Sequence, residues 1–183
     1  MKIVVLPGTN REGSNTLRLG RAVAARYATH DGVEVDLLDL RELPTGLLSP
    51  EAYATKPAGW ARFADAVVGA DGLHVLTPEY NGGAPGVLKV FIDHLPFPES
   101  FERRPVCFTG LAAGRFGALR PVEQLQGIFG YRNALQYPNR VFIPGVGKAL
   151  GPDGWPDDAM LSDFLDKQIT GFLSFVRSVA PLR

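Results

Sequence analysis

The chain alternates short apolar runs with longer stretches in which apolar residues recur every three or four positions. Continuous apolar runs of this kind are typical of strands buried on both faces of a parallel sheet. The second run alternates instead, with Val33, Val35 and Leu37 on one face. We predict five strands, at residues 2–6, 33–38, 73–77, 106–111 and 140–143.

The stretches between these runs have the spacing of amphipathic helices. The clearest covers 58–70. Its apolar stripe is Trp60, Phe63, Ala64, Val67 and Val68. Further helices are predicted at 15–29, from 85 to 95, from the glycines near 117 to 135, and at 157–179. The apolar face of the first contains Leu19, Val23 and Tyr27, and that of the last contains Phe164. The segment 41–56 is predicted to be mostly irregular. The Gly- and Pro-rich segment 144–156 is predicted to be a loop throughout, with no helix.

Five strands separated by helices predict an α/β fold, a doubly wound parallel sheet with helices on both faces. The length of 183 residues suits one domain spanning 1–183. In such sheets, ligands bind beyond the carboxyl ends of the strands, where the strand order reverses. For the order 2-1-3-4-5, that point lies between strands one and three.

The segment 8–16 follows the first predicted strand and leads into a helix. Its glycines permit a sharp turn, its hydroxyls and Arg11 supply hydrogen-bond donors, and the helix directs its positive end to the same place. A phosphate monoester suits this combination. The lysine of a triphosphate loop and the glycine spacing of a dinucleotide loop are both missing. The alternative is a solvated turn that only caps the helix through Ser14.

The composition sets limits on other functions. The formal net charge is zero, so nothing indicates nucleic acid or an anionic membrane surface as a partner. The single cysteine, Cys107, lies in a predicted strand, and with three scattered histidines it makes no metal site. The sequence has no membrane-length apolar run and no recognisable signal peptide, which predicts a cytoplasmic protein.

Two segments resemble motifs of the NADPH-dependent FMN reductases. Gly8-Thr9-x-Arg11-x-x-Ser14-x-Thr16 is similar to the phosphate loop G-S-x-R-x-x-S-x-[NT] of that family, with Thr9 replacing serine. Residues 78–89, which read PEYNGGAPGVLK, resemble the segment P-E-Y-N-x-x-x-P-G-x-L-K. The resemblance implies a flavodoxin-like fold over nearly the whole chain and FMN as cofactor.

The resemblance also implies a set of cofactor-binding residues. In the phosphate loop they are Gly8, Thr9, Arg11, Ser14, Asn15 and Thr16. Along the isoalloxazine ring they are Pro78, Glu79, Tyr80, Asn81 and Gly82. In a third loop after strand four, with a weaker motif, they are Ala112, Ala113 and Gly114.

The implied function is an NAD(P)H-dependent oxidoreductase. Hydride passes from NADPH or NADH to flavin N5, and two electrons then pass to a quinone-like, azo, flavin or metal-oxyanion acceptor. The sequence shows no catalytic dyad, as expected where the flavin supplies the chemistry. The resemblance further implies a homodimer or homotetramer. The alternative function is an electron carrier or flavin-binding module without reductase activity. Arg115, in the third loop, is a candidate contact for a nucleotide phosphate or a substrate oxygen.

Overall fold

A computed structural model of the chain describes residues 1–182. Its parallel sheet has the order β2-β1-β3-β4-β5, and a further strand, β6, also pairs with β4. The predicted strand order is therefore confirmed. The strands are β1 (Lys2–Pro7), β2 (Glu34–Leu37), β3 (Gly72–Pro78), β4 (Pro105–Leu111), β5 (Leu135–Gln136) and β6 (Val141–Ile143).

Helices cover both faces of the sheet. α1 and α6 pack on one face, and α2, α3 and α4 pack on the other. The helices are α1 (Asn15–Ala28), α2 (Trp60–Val68), α3 (Gly86–His94), α4 (Leu119–Tyr131), α5 (Val146–Ala149) and α6 (Ala159–Val179). Between β2 and α2, short 3₁₀ turns occupy the segment that we predicted to be irregular. Among the described residues, no helix is both long and apolar enough to cross a membrane.

The fifth position of the sheet differs from the prediction. We expected a helix reaching residue 135 and one strand at 140–143, but α4 ends at Tyr131 and two short strands follow. β5 pairs with the start of β4 and β6 with its end. Residues 137–140, which include Pro138, lie opposite only Cys107 and Phe108 of β4. The surplus residues interrupt the hydrogen-bond ladder, and proline cannot donate to it.

The apolar stripes of the helices face the sheet as predicted, with two exceptions. Val68, at the end of the stripe predicted for α2, is 37% exposed. Leu19, Val23 and Tyr27 of α1 are fully buried. In α6 we assigned Phe164 to the apolar face, yet it is 46% exposed. Cys107 is a buried strand residue, as expected, and burial raises the pKa of its thiol.

A chain of buried polar side chains crosses the middle of the sheet. Tyr27 Oη lies 3.0 Å from His74 Nδ1, and His74 Nε2 lies 2.8 Å from Thr109 Oγ1. Thr109 donates its hydroxyl hydrogen to Gln168 Oε1 over 2.6 Å. Thr109 must therefore accept from His74 Nε2–H, which leaves His74 Nδ1 as the acceptor for Tyr27. Burial lowers the pKa of His74 to about 3, so this histidine is neutral.

Gln168 also repairs the interrupted ladder at the fifth position. Its Nε2 donates to the carbonyl of Phe108 at 3.0 Å and to that of Asn139 at 2.8 Å. A residue of α6 thus satisfies backbone groups that the sheet leaves unpaired at this point. We call the set Tyr27, His74, Thr109 and Gln168 the interior network.

Candidate functional site

Three loops meet at the carboxyl edge of the sheet, after β1, β3 and β4. They enclose a cleft of about 360 Å³, within the size range of small-molecule sites. The cleft lies at the reversal of strand order between β1 and β3, as predicted. Its lining residues are Arg11, Glu12, Gly13, Ser14, Asn15, Thr16, Pro78, Glu79, Tyr80, Leu111, Ala112, Ala113, Val146 and Gly147.

The first loop begins with a close approach of backbone to helix. A Cβ on Gly8 would lie 2.6 Å from Leu88 Cδ2 of α3, so only glycine fits without a shift. Gly8 N–H donates to the Leu76 carbonyl at 2.7 Å, which fixes the loop to β3. Gly8 therefore packs behind the cleft and is not one of its lining residues.

The N-terminus of α1 faces this cleft. Ser14 caps the helix, with its Oγ accepting from Leu17 N–H at 3.2 Å. The first intrahelical bond runs from Arg18 N–H to the Ser14 carbonyl. The N–H groups of Asn15 and Thr16 precede that bond and have no intrahelical acceptor, so they supply donors and a positive dipole end.

Arg11 and Thr9 play different parts in the first loop. The side chain of Arg11 is exposed at the rim of the cleft. Thr9 is 2% exposed, and its Oγ1 accepts from Arg11 N–H at 3.2 Å and lies 2.8 Å from Tyr80 Oη. The Thr9 hydroxyl thus joins the first loop to the second, and its contact with a phosphate stays a prediction.

The second loop folds as a tight turn at Asn81 and Gly82. Tyr80 and Gly83 exchange both backbone hydrogen bonds at 3.0 Å, and the central residues have φ of 52° and 79°. Positive φ at both central positions is the type I′ turn, which favours the sequence Asn-Gly. The turn holds Tyr80 against the first loop and places Asn81 and Gly82 just outside the cleft.

Helix α4 supports the second loop, a contact that the sequence did not reveal. Gln124 Oε1 accepts from Ala84 N–H at 2.9 Å. Arg120 Nη1 donates to Glu79 Oε1 at 3.2 Å, and the Glu79 side chain is only 16% exposed. Glu79 therefore pairs within its own chain. The two residues of each contact are about forty positions apart in sequence, so no local pattern indicated either contact.

The third loop is tied to a segment that we predicted to be irregular. Ala112 N–H donates to the Ile143 carbonyl at 3.1 Å, and Val146 N–H donates to the Ala112 carbonyl at 3.0 Å. These bonds place α5 (Val146–Ala149) beside the cleft, so the prediction of irregular structure throughout 144–156 is wrong. Gly145, at φ 59°, lets the chain turn into this helix. Val146 and Gly147 are lining residues that sequence reasoning missed. Their position after the last strand was the available signal.

The structure separates the predicted site residues into three groups. Those that line the cleft are Arg11, Ser14, Asn15, Thr16, Pro78, Glu79, Tyr80, Ala112 and Ala113. Those that line an adjoining depression are Asn81, Gly82 and Gly114. Gly8 and Thr9 lie behind the cleft wall and shape it through packing and hydrogen bonds.

Known proteins match both the sequence and the fold. The family model for NADPH-dependent FMN reductases matches residues 1–147. An NAD(P)H-dependent FMN reductase of Pseudomonas aeruginosa is 30% identical in an alignment of 183 positions that covers 97% of this chain and 96% of the relative. A 2-hydroxy-1,4-benzoquinone reductase of Burkholderia sp. is 32% identical over 134 residues, covering 72% of this chain and 71% of the relative. The solved structure of FerB, a flavoenzyme NAD(P)H:(acceptor) oxidoreductase from Paracoccus denitrificans, has a TM-score of 0.78 at 23% identity, with 97% of each chain covered.

The parallel order β2-β1-β3-β4-β5, with helices on both faces, defines a flavodoxin-like α/β protein. More specifically, the chain belongs to the NADPH-dependent FMN reductase family. It is accordingly an oxidoreductase that uses FMN with NADPH or NADH as reductant.

Proposed function

We propose that FMN binds in the cleft with its phosphate at the N-terminus of α1 and its isoalloxazine ring along the second and third loops. The observation that carries this proposal is the chemical difference between the two ends of the cleft. One end presents Arg11, Ser14, Thr16 and the first N–H groups of α1. The other end presents small side chains, which suit a flat ring: Ala112, Ala113 and Gly147.

The residues of the chain fit this cofactor in charge and shape. Arg11 offers a charged donor, and a helix N-terminus favours phosphate. Pro78, Glu79 and Tyr80 offer backbone groups along the ring, held in place by the I′ turn and by Gln124. The protein binds and orients the cofactor, and no side chain is required as acid or base.

When bound, FMN accepts hydride from the nicotinamide nucleotide and passes two electrons to an acceptor. We place quinone-like compounds first among the acceptors, followed by azo compounds, flavins and metal oxyanions. The benzoquinone reductase among the relatives supports quinones. The half-open cleft between small residues holds donor and acceptor in turn, so we expect ping-pong kinetics and tolerance of varied flat acceptors.

A homodimer or homotetramer, with an interface near the cleft, is part of the proposal. The exposed turn at Asn81 and Gly82 and the connection at residues 96–104 are the surfaces that we expect to meet a neighbouring subunit. Light scattering over a range of concentrations tests this expectation. A monomer mass at every concentration contradicts it.

Stopped-flow spectroscopy tests the proposed activity. The FMN-loaded protein is mixed with NADPH or NADH, and the flavin absorbance is followed before mixing with a benzoquinone. We expect bleaching within seconds by at least one nucleotide and reoxidation by the quinone. If neither nucleotide bleaches the flavin, the reductase activity is wrong and the electron-carrier function takes its place.

A further inference from the structure

A second depression adjoins the cleft at its ring end. It has a volume of about 320 Å³ and shares Glu79, Ala112 and Ala113 with the cleft. Beyond these shared residues it is lined by Phe116 and Arg120, together with Asn81, Gly82 and Gly114. A molecule that reacts at the ring end of the cleft can therefore extend into this depression.

Two guanidinium groups lie over the aromatic ring of Phe116. Arg120 lines the depression itself, whereas Arg115 is placed beside it by its contact with Phe116. Phe116 is 48% exposed, and its ring centroid lies 4.8 Å from the Cζ of Arg115 and 5.5 Å from that of Arg120. Both distances are within the range of cation–π attraction. We call Arg115, Phe116 and Arg120 the cationic rim.

The charge of the cationic rim is only partly balanced. Arg120 pairs with Glu79, whereas Arg115 forms no ion pair with any residue of the described chain, 1–182. The rim and its carboxylate together therefore carry one net positive charge beside a half-exposed aromatic ring. This combination suits a planar ligand that bears an anionic group, because a guanidinium binds oxyanions with paired hydrogen bonds while the ring stacks.

We propose that the cationic rim is a specificity subsite for the oxyanion carried by an aromatic redox partner, with Arg115 as its determining residue. The oxyanion has two sources: the phosphates of the nicotinamide nucleotide, or a sulfonate or carboxylate on the electron acceptor. The proposal rests on the proposed function, because it assigns the rim to the partners of the flavin.

The test compares the wild type with Arg115→Gln, both loaded with FMN. The first arm measures flavin reduction by NADPH and by N-benzyl-1,4-dihydronicotinamide, a hydride donor without phosphate. The second arm photoreduces the flavin and measures its oxidation by 1,4-naphthoquinone-2-sulfonate and by uncharged menadione. Arg177→Gln, an exposed arginine of α6, is the matched control for the change in net charge.

We expect Arg115→Gln to weaken the apparent affinity for the charged partner about three- to tenfold, as for one exposed charge-assisted contact. The uncharged partner of the same arm keeps its affinity, and Arg177→Gln changes neither. A loss confined to NADPH identifies the phosphates as the source, and a loss confined to the sulfonate identifies the acceptor.

If the affinities for charged and uncharged partners fall equally, or if no affinity falls in either arm, the cationic rim is not a subsite for an oxyanion. Failure of the proposed function has a different signature. In that case neither NADPH nor NADH bleaches the wild-type flavin, while oxidation of the photoreduced protein by the two quinones still tests the rim.

Discussion

Strands β3 and β4 contribute to both the interior network and the cleft. The polar groups of the network bond to one another, whereas those of the cleft face solvent. His74 of β3 and Thr109 of β4 are fully buried, and each bonds to further side chains. A few residues further along, the same strands end at the cleft, where Arg11 is exposed and the first N–H groups of α1 face the opening. Polar groups that satisfy one another inside a protein stabilise the fold. Polar groups that converge on an open cleft are available to a ligand.

The largest expected effect that separates the two regions is a pH dependence of stability from His74. Its pKa is about 3 when folded and near 6.5 when unfolded, so only the unfolded chain gains a proton as the pH falls below 6.5. Stability then falls with decreasing pH, by up to about 1.4 kcal/mol per pH unit. Denaturant unfolding between pH 7 and 4.5 measures this slope.

The His74→Gln variant isolates the contribution of the histidine, because that slope disappears from it. Identical slopes in the two proteins contradict the account. Nitrogen NMR of the wild-type His74 ring is an independent check, since we expect the neutral Nε2–H form at pH 5. A protonated ring at that pH contradicts the hydrogen-bond order of the interior network.

The next effect is a contrast between two glutamines. Gln168→Leu leaves the Phe108 carbonyl and the Thr109 hydroxyl without their partner, which we expect to cost roughly 2–3 kcal/mol of unfolding free energy. Gln124→Leu removes one exposed hydrogen bond to the second loop and costs less than about 1 kcal/mol. FMN titration of the folded variants completes the comparison. Gln168→Leu retains wild-type affinity, whereas Gln124→Leu loses some. The reverse pattern contradicts the division between the regions.

The loops of the cleft could be predicted from the sequence, whereas the contacts of the interior network could not. The strands, the helices and the loops at 8–16 and 78–84 followed from apolar periodicity and Gly-rich turns, which are local properties. The strand order came from the resemblance to a flavodoxin-like family. The partners of His74 lie at positions 27 and 109, far apart in the chain. No window of sequence contains that contact.

The errors in the prediction have the same physical origin. Nothing local distinguishes the end of α4 from β5, because Leu135 and Gln136 become a strand only by pairing with β4. Helix α5 is similarly anchored by a bond from Val146 to Ala112. The contact between the Thr9 hydroxyl and Tyr80 is likewise tertiary, and no local pattern indicated it.

Arg11→Ala is expected to weaken FMN binding about ten- to a hundredfold, because a hydrogen bond from a charged donor contributes roughly 1.5–3 kcal/mol. Riboflavin, which lacks the phosphate, is expected to bind almost unchanged. Fluorescence titration of both ligands measures the two effects. Equal losses for both ligands reject the contact between Arg11 and the phosphate.

The smallest expected effect concerns the bond between the first two loops. Tyr80→Phe removes the hydroxyl that lies 2.8 Å from Thr9 Oγ1, and a neutral hydrogen bond contributes about 0.5–1.5 kcal/mol. We expect FMN affinity to fall about two- to tenfold. A double-mutant cycle with Thr9→Val checks the cause, because the two losses should not add if the residues act through one bond. Additive losses contradict the link between the loops.

The most direct test of the central claim is calorimetric titration of the wild-type apoprotein with FMN and with riboflavin. If the cleft binds phosphate at the N-terminus of α1, FMN binds at least about tenfold more tightly than riboflavin, and the preference shrinks as salt is raised. Equal affinity for the two ligands, independent of salt, contradicts the assignment of the cleft.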